Sequence, residues 1–109
     1  MMDHAPAVRR LIEARLLAWP RVVIGSVFGS DGYYVKGHAF AFWEAGGLVL
    51  NLPPDAREQA LALPGARRYT VPRGSGPGWV HVPADELSTA AELLPLLNAA
   101  CRYLGGEPL

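Results

Sequence analysis

Between Phe28 and Leu52 the chain reads FGSDGYYVKGHAFAFWEAGGLVLNL, short apolar runs broken by glycine turns. A helix through this stretch is ruled out on energy. Gly37, Gly46 and Gly47 interrupt residues 33–52, and each costs roughly 1 kcal/mol relative to alanine inside a helix. Tyr33, Tyr34 and Val35 are aromatic or β-branched and suit a pleated, half-buried surface. Lys36-Gly37, a two-residue loop with glycine between apolar runs, marks a hairpin. Strict alternation from His38 to Trp43 places His38, Phe40 and Phe42 on one face and Ala39, Ala41 and Trp43 on the other. Glu44-Ala45-Gly46-Gly47 is the next reversal, after which Leu48, Leu50 and Leu52 share a face. Three antiparallel strands result. Packed against helices, Phe40, Phe42, Leu48, Leu50 and Leu52 each contribute about 1.5–3 kcal/mol.

The flanking segments supply those helices. Val8, Leu11, Ile12, Leu16 and Trp19 recur at helical spacing within residues 5–18, with Asp3 as N-cap, Pro6 in the first turn and Pro20 as the stop. Residues 21–28 read as a first strand with a bulge at Gly25, and Gly29-Ser30-Asp31-Gly32 as a turn. Pro53-Pro54-Asp55 opens a short helix to about Ala62, closed by Pro64-Gly65. Residues 67–71 and 79–82 read as strands around the apolar-poor loop 72–78. The last helix covers roughly Thr89 to Leu104, with Thr89 and Glu92 as a capping box and Gly105-Gly106 as terminator. Pro95 inside it predicts a kink or a later start.

Composition narrows the function classes. The 109 residues fit one domain, 1–109, and a hydrophobic share of 50% excludes disorder. No apolar run reaches the roughly 18 residues of a membrane span, and Asp3 and His4 stand where a signal peptide would be basic. The cytoplasm is therefore the expected location. Cys101 is alone, so neither an internal disulfide nor a cysteine-rich zinc site can form, and its place in an apolar helical pattern predicts burial. Ten basic residues balance ten acidic ones, which weakens the case for nucleic acid as the principal partner. Nine of the ten basic residues are arginine, and Asn, Gln, Met and Cys are scarce, a thermophile-like composition.

No arrangement of chemical groups announces an enzyme. Ser26, Ser30, Ser75 and Ser88 lack an elbow motif and a histidine with a carboxylate beside it. Asp31 belongs to turn chemistry, and Asp85-Glu86 favours the dipole of the following helix. Were residues 38–43 and 79–82 neighbouring strands, His38 and His81 would meet, but a transition metal needs a further ligand and none is near. Gly74-Ser75-Gly76-Pro77-Gly78 lacks the Lys-Ser/Thr of a phosphate loop. No cofactor or metal is expected. What remains is aromatic and basic surface: Tyr33, Tyr34, Trp43 and Trp79 with Arg67, Arg68 and Arg73, a combination suited to a protein contact or to single-stranded nucleic acid.

The motifs Val35-Lys36-Gly37-His38-Ala39-Phe40-Ala41, Leu48 to Pro53 and Gly78-Trp79-Val80 resemble the MmcQ/YjbR-like family and the related N-terminal domain of TfoX-like competence regulators, over about residues 7–104. A more distant similarity, through Leu17-Ala18-Trp19-Pro20 and Gly78-Trp79-Val80, is to a luciferase-associated domain family. The resemblance implies an α+β fold of the secretion-chaperone-like type and a regulatory or DNA-binding role. His38 stands where such proteins carry lysine or arginine, and the neutral Gly76-Pro77-Gly78 replaces a basic segment. Both departures remove positive charge.

The resulting expectation is an α+β domain of order α-β-β-β-β-α-β-β-α, an antiparallel sheet packed against helices. Its expected function is a non-enzymatic binding or regulatory module with a homodimer or another protein as partner. Nucleic-acid binding through an arginine and aromatic patch is the alternative, and a small-ligand domain the third reading. The candidate binding residues are Lys36, His38, Trp43, Arg67, Arg68, Arg73, Trp79 and His81.

Overall fold

A computed structural model describes residues 6–44, 46–70, 78–84 and 87–108, with only the backbone described for residues 6 and 87–89. The elements are α1 (Pro6–Leu16), β1 (Val22–Val27), β2 (Ser30–Val35), β3 (His38–Glu44), β4 (Gly47–Asn51), α2 (Pro54–Leu61), β5 (Arg67–Arg68), β6 (Trp79–Pro83) and α3 (Leu87–Tyr103). They follow the expected α+β order. The strands form one antiparallel sheet in the order β1-β2-β3-β4-β6-β5. Asp3, His4, Arg73, Asp85, Glu86 and the 72–77 loop lie outside the described residues, as does the side chain of Thr89.

Two tight turns set the register of the first three strands. Phe28 and Gly29 have φ of 50° and 83°, and Lys36 and Gly37 have 52° and 81°. Positive φ at both central residues matches the right-handed twist of a hairpin. The first turn thus falls one residue before the expected one, and Ser30, Asp31 and Gly32 are strand residues paired with Val27, Ser26 and Gly25 respectively. Gly25 pairs regularly with Gly32 and is not a bulge.

The bulge sits in β3 instead. Tyr34 pairs with Ala39 and Tyr33 with Ala41, so Phe40 is an extra residue without its own partner. An inserted residue shifts every later side chain to the other face. Phe40 accordingly joins Ala41 and Trp43 beneath the helices, while Phe42 points to the opposite side. The expectation that Phe40 and Phe42 share a face is corrected by that single residue.

One face carries the main core. Val8, Ile12 and Leu16 of α1, Ala56 and Ala60 of α2, and Ala90, Leu93, Leu97, Ala100 and Cys101 of α3 pack on Tyr33, Val35, Phe40, Trp43, Leu48, Leu50, Val80 and Val82. Leu48, Leu50 and Leu52 are buried together there, as their spacing predicted. α3 begins before Pro95 and runs through it, so the later start is not adopted. Pro95 deprives the Ala91 carbonyl of its helical donor, and both residues are exposed, so water can serve that carbonyl. α3 ends on Gly105 at φ 92°, with Gly106 N–H donating to Cys101 O at 2.8 Å and Gly105 N–H to Arg102 O at 3.0 Å, a Schellman closure.

Candidate interaction surface

The other face carries a second, aromatic cluster. Val27, Phe42, Val49 and Trp79 are buried there, with Tyr34, Ala39 and Tyr69 packed at its margin. Phe42 is the hub: its ring lies 5.6 Å from Phe28, 5.7 Å from Tyr69 and 5.5 Å from Trp79, in edge-on or tilted contacts. The buried residues of all three helices belong to the opposite cluster. Aromatic side chains therefore divide between the two faces, with Tyr33 and Trp43 on the helix side and Tyr34 and Trp79 on the other.

Phe28 is the exposed part of this cluster. It sits at a turn with positive φ, touches both Phe42 and Trp79 (6.1 Å), and still leaves 48% of its surface in water. Val23, on the same side of the neighbouring strand, is 56% exposed. Tyr34 crosses Gly25, where a Cβ would come within 2.8 Å of its ring, and donates its hydroxyl to Ser26 O at 2.6 Å. The resulting strip combines apolar exposure with fixed geometry.

A polar group closes the far end of the same face. Tyr69 donates to Glu44 Oε2 at 2.6 Å, and His81 Nε2 donates to the Glu44 carbonyl at 3.0 Å. The His81 ring stacks on Tyr69, and the Arg67 guanidinium lies 5.7 Å over that tyrosine. The bond to Glu44 and burial hold the Tyr69 hydroxyl above its ordinary pKa. Gly47 is required beside this group, because a Cβ would collide with the Val82 carbonyl and the His81 ring.

On the helix side, Trp43 Nε1 donates to the Tyr33 hydroxyl at 2.8 Å, and that hydroxyl donates to Glu13 Oε1 at 2.5 Å. Burial first, and the bond to Glu13 next, push the Tyr33 pKa well above the usual tyrosine range. Arg9 completes the network, 2.9 Å from Asp31, 3.6 Å from Glu13 and stacked 5.7 Å over Trp43. These are structural bonds that tie α1 to β2 and β3. Burial likewise raises the Cys101 thiol pKa, which leaves it a poor nucleophile.

The residues singled out from sequence do not converge. Lys36 and His38 are exposed at the β2–β3 turn, whereas Arg67 and Arg68 are exposed on β5, with β4 and β6 between. His38 pairs with Val35 and lies on the helix side; His81 pairs with Val49 and lies on the other. β3 and β6 are not neighbours, so the two histidines cannot meet. Trp43 and Trp79 are packed inside, 4% and 3% exposed. Arg67 and His81 do come together, through Tyr69. No group of three metal-ligating side chains occurs among the described residues. An open groove of about 480 Å³ between α1 and α3, lined by Arg15, Trp19, Ala91, Leu94, Pro95 and Asn98, is the space available to a small ligand there. Phe28 and Val23 were missed, although Phe28-Gly29 between strand-like runs carries the same two-residue signal as Lys36-Gly37.

The family model of the TfoX N-terminal domain fits residues 14–103. Neither curated proteins nor solved structures returned a match.

Proposed function

The chain belongs to the TfoX N-terminal domain family, and we propose that it acts as a non-enzymatic regulatory module that binds a protein partner through the side of the sheet opposite the helices. The supporting observation is Phe28. An aromatic ring fixed by two others while half exposed loses little conformational entropy on contact, the usual character of a binding anchor. Val23 extends the apolar strip, and Arg67 with Tyr69 supplies a polar margin on the same face. We further propose kinship with the MmcQ/YjbR-like proteins, a reading supported by the motifs around Val35–Ala41 and Gly78–Val80. No described helix is long and apolar enough to cross a membrane, and we assign the protein to the cytoplasm.

The test is affinity capture from native lysate with the wild type and Phe28→Glu, after circular dichroism has shown that both are folded. A protein retained by the wild type and lost with Phe28→Glu is the expected result. Identical captures, or a catch that nuclease treatment removes, would overturn the reading, the second in favour of nucleic acid.

A further inference from the structure

The two edges of the sheet are treated differently. β5 is two residues long, and both are exposed arginines. Short, charged edges resist pairing with another chain. β1 is six residues long, VVIGSV, with neither a charge nor a proline, and no described strand pairs with its outer side. Val23 and Ile24 are 56% and 50% exposed.

The hairpin fixes which backbone groups face outward. A two-residue turn closes on a hydrogen-bonded pair, here Val27 and Ser30, and bonded pairs then alternate through Gly25–Gly32 and Val23–Tyr34. Val22, Ile24 and Ser26 consequently point their N–H and C=O away from β2. Two of those groups are already engaged: Val22 N–H donates to Trp19 O at 3.4 Å, and Ser26 O accepts from the Tyr34 hydroxyl at 2.6 Å. Val22 C=O, both groups of Ile24 and Ser26 N–H are left.

We infer that β1 pairs antiparallel with β1 of a second copy, on a two-fold axis at Ile24, so that the two sheets continue into one. In this register each Ile24 N–H meets the other Ile24 C=O, and each Ser26 N–H meets the other Val22 C=O. Every bond uses a group the fold leaves open. The groups already engaged, Val22 N–H and Ser26 C=O, fall opposite each other. Moving the axis to Val23 or Gly25 would direct Ile24 onto an engaged group instead. Donor faces acceptor along the seam, and no ionisable side chain within β1 repels its copy. Val23 of one copy lies opposite Gly25 of the other, against the Tyr34 ring that covers it. The proposal rests on the domain being an interaction module but uses the strand edge rather than the Phe28 surface.

Purified protein decides it without any other partner. The wild type should scatter light as a dimer at about 1 mM, and Ile24→Lys should weaken the dimer at least ~10-fold while leaving Phe28-dependent capture intact. Directly opposed bonded residues lie about 5.5 Å apart at Cα, within disulfide range. Ile24→Cys should therefore form a covalent dimer on mild oxidation, whereas the wild type, with only Cys101, and Val23→Cys should not. A monomeric wild type, a dimer indifferent to Ile24→Lys, or Val23→Cys coupling as readily as Ile24→Cys would each overturn the inference.

Discussion

Tyr33 shows how one hydroxyl can join three elements. It accepts from Trp43 and donates to Glu13, so Tyr33→Phe removes both of these bonds from the α1–β2–β3 junction. The expected loss is about 1–3 kcal/mol, read as a lower urea midpoint with unchanged slope. The same residue governs alkaline behaviour. Its pKa is raised on folding, so its contribution is complete below the ordinary value of 10.0 and is lost as pH rises toward the folded value. Stability of the wild type should fall above pH 10.0, and Tyr33→Phe should fall less steeply, Tyr69 retaining part of the slope. Gly47→Ala should destabilise as well, because the obstructing atoms include a backbone carbonyl that cannot step aside.

At the scale of elements, α3 carries an unrealised bond. Pro95→Ala restores an N–H for the Ala91 carbonyl and should stabilise the protein by about 1–3 kcal/mol in denaturant titration. Much of this level was legible in the residues. Helical spacing placed Val8, Ile12, Leu16 and Cys101 in the core, and paired turn residues marked the hairpin at Lys36-Gly37. The bulge was not legible. A run of HAFAFW fits unbroken alternation as well as it fits one inserted residue, and only pairing with Tyr33 and Tyr34 distinguishes them. The candidate surface was hidden for the same reason: with Phe42 assigned beneath the helices, nothing on the far side called for a cluster or for Phe28 at its rim. Whether the two histidines meet was likewise not legible, because strand order depends on β4 lying between β3 and β6, a long-range fact.

For the whole molecule, the sheet has one face closed by helices, one closed by aromatic rings, and two unequal edges. Ten basic and ten acidic residues give no net attraction to phosphate, and the exposed arginines of β5 are only two. The protein should pass through heparin at about 50–100 mM salt, and Arg67→Glu with Arg68→Glu should not alter that. Steep salt-dependent retention abolished by the double variant would instead favour nucleic acid. Truncating either central ring should cost about 3–5 kcal/mol, Phe40→Ala through the helix-side core and Phe42→Ala through the aromatic cluster. The most direct measurement is a set of nuclear Overhauser contacts from the two rings. Phe42 should show contacts to Val27, Val49 and Trp79, and Phe40 to Tyr33 and the helix-side core. If both rings instead contact the same leucines of α3, the bulge is absent and the second face falls with it.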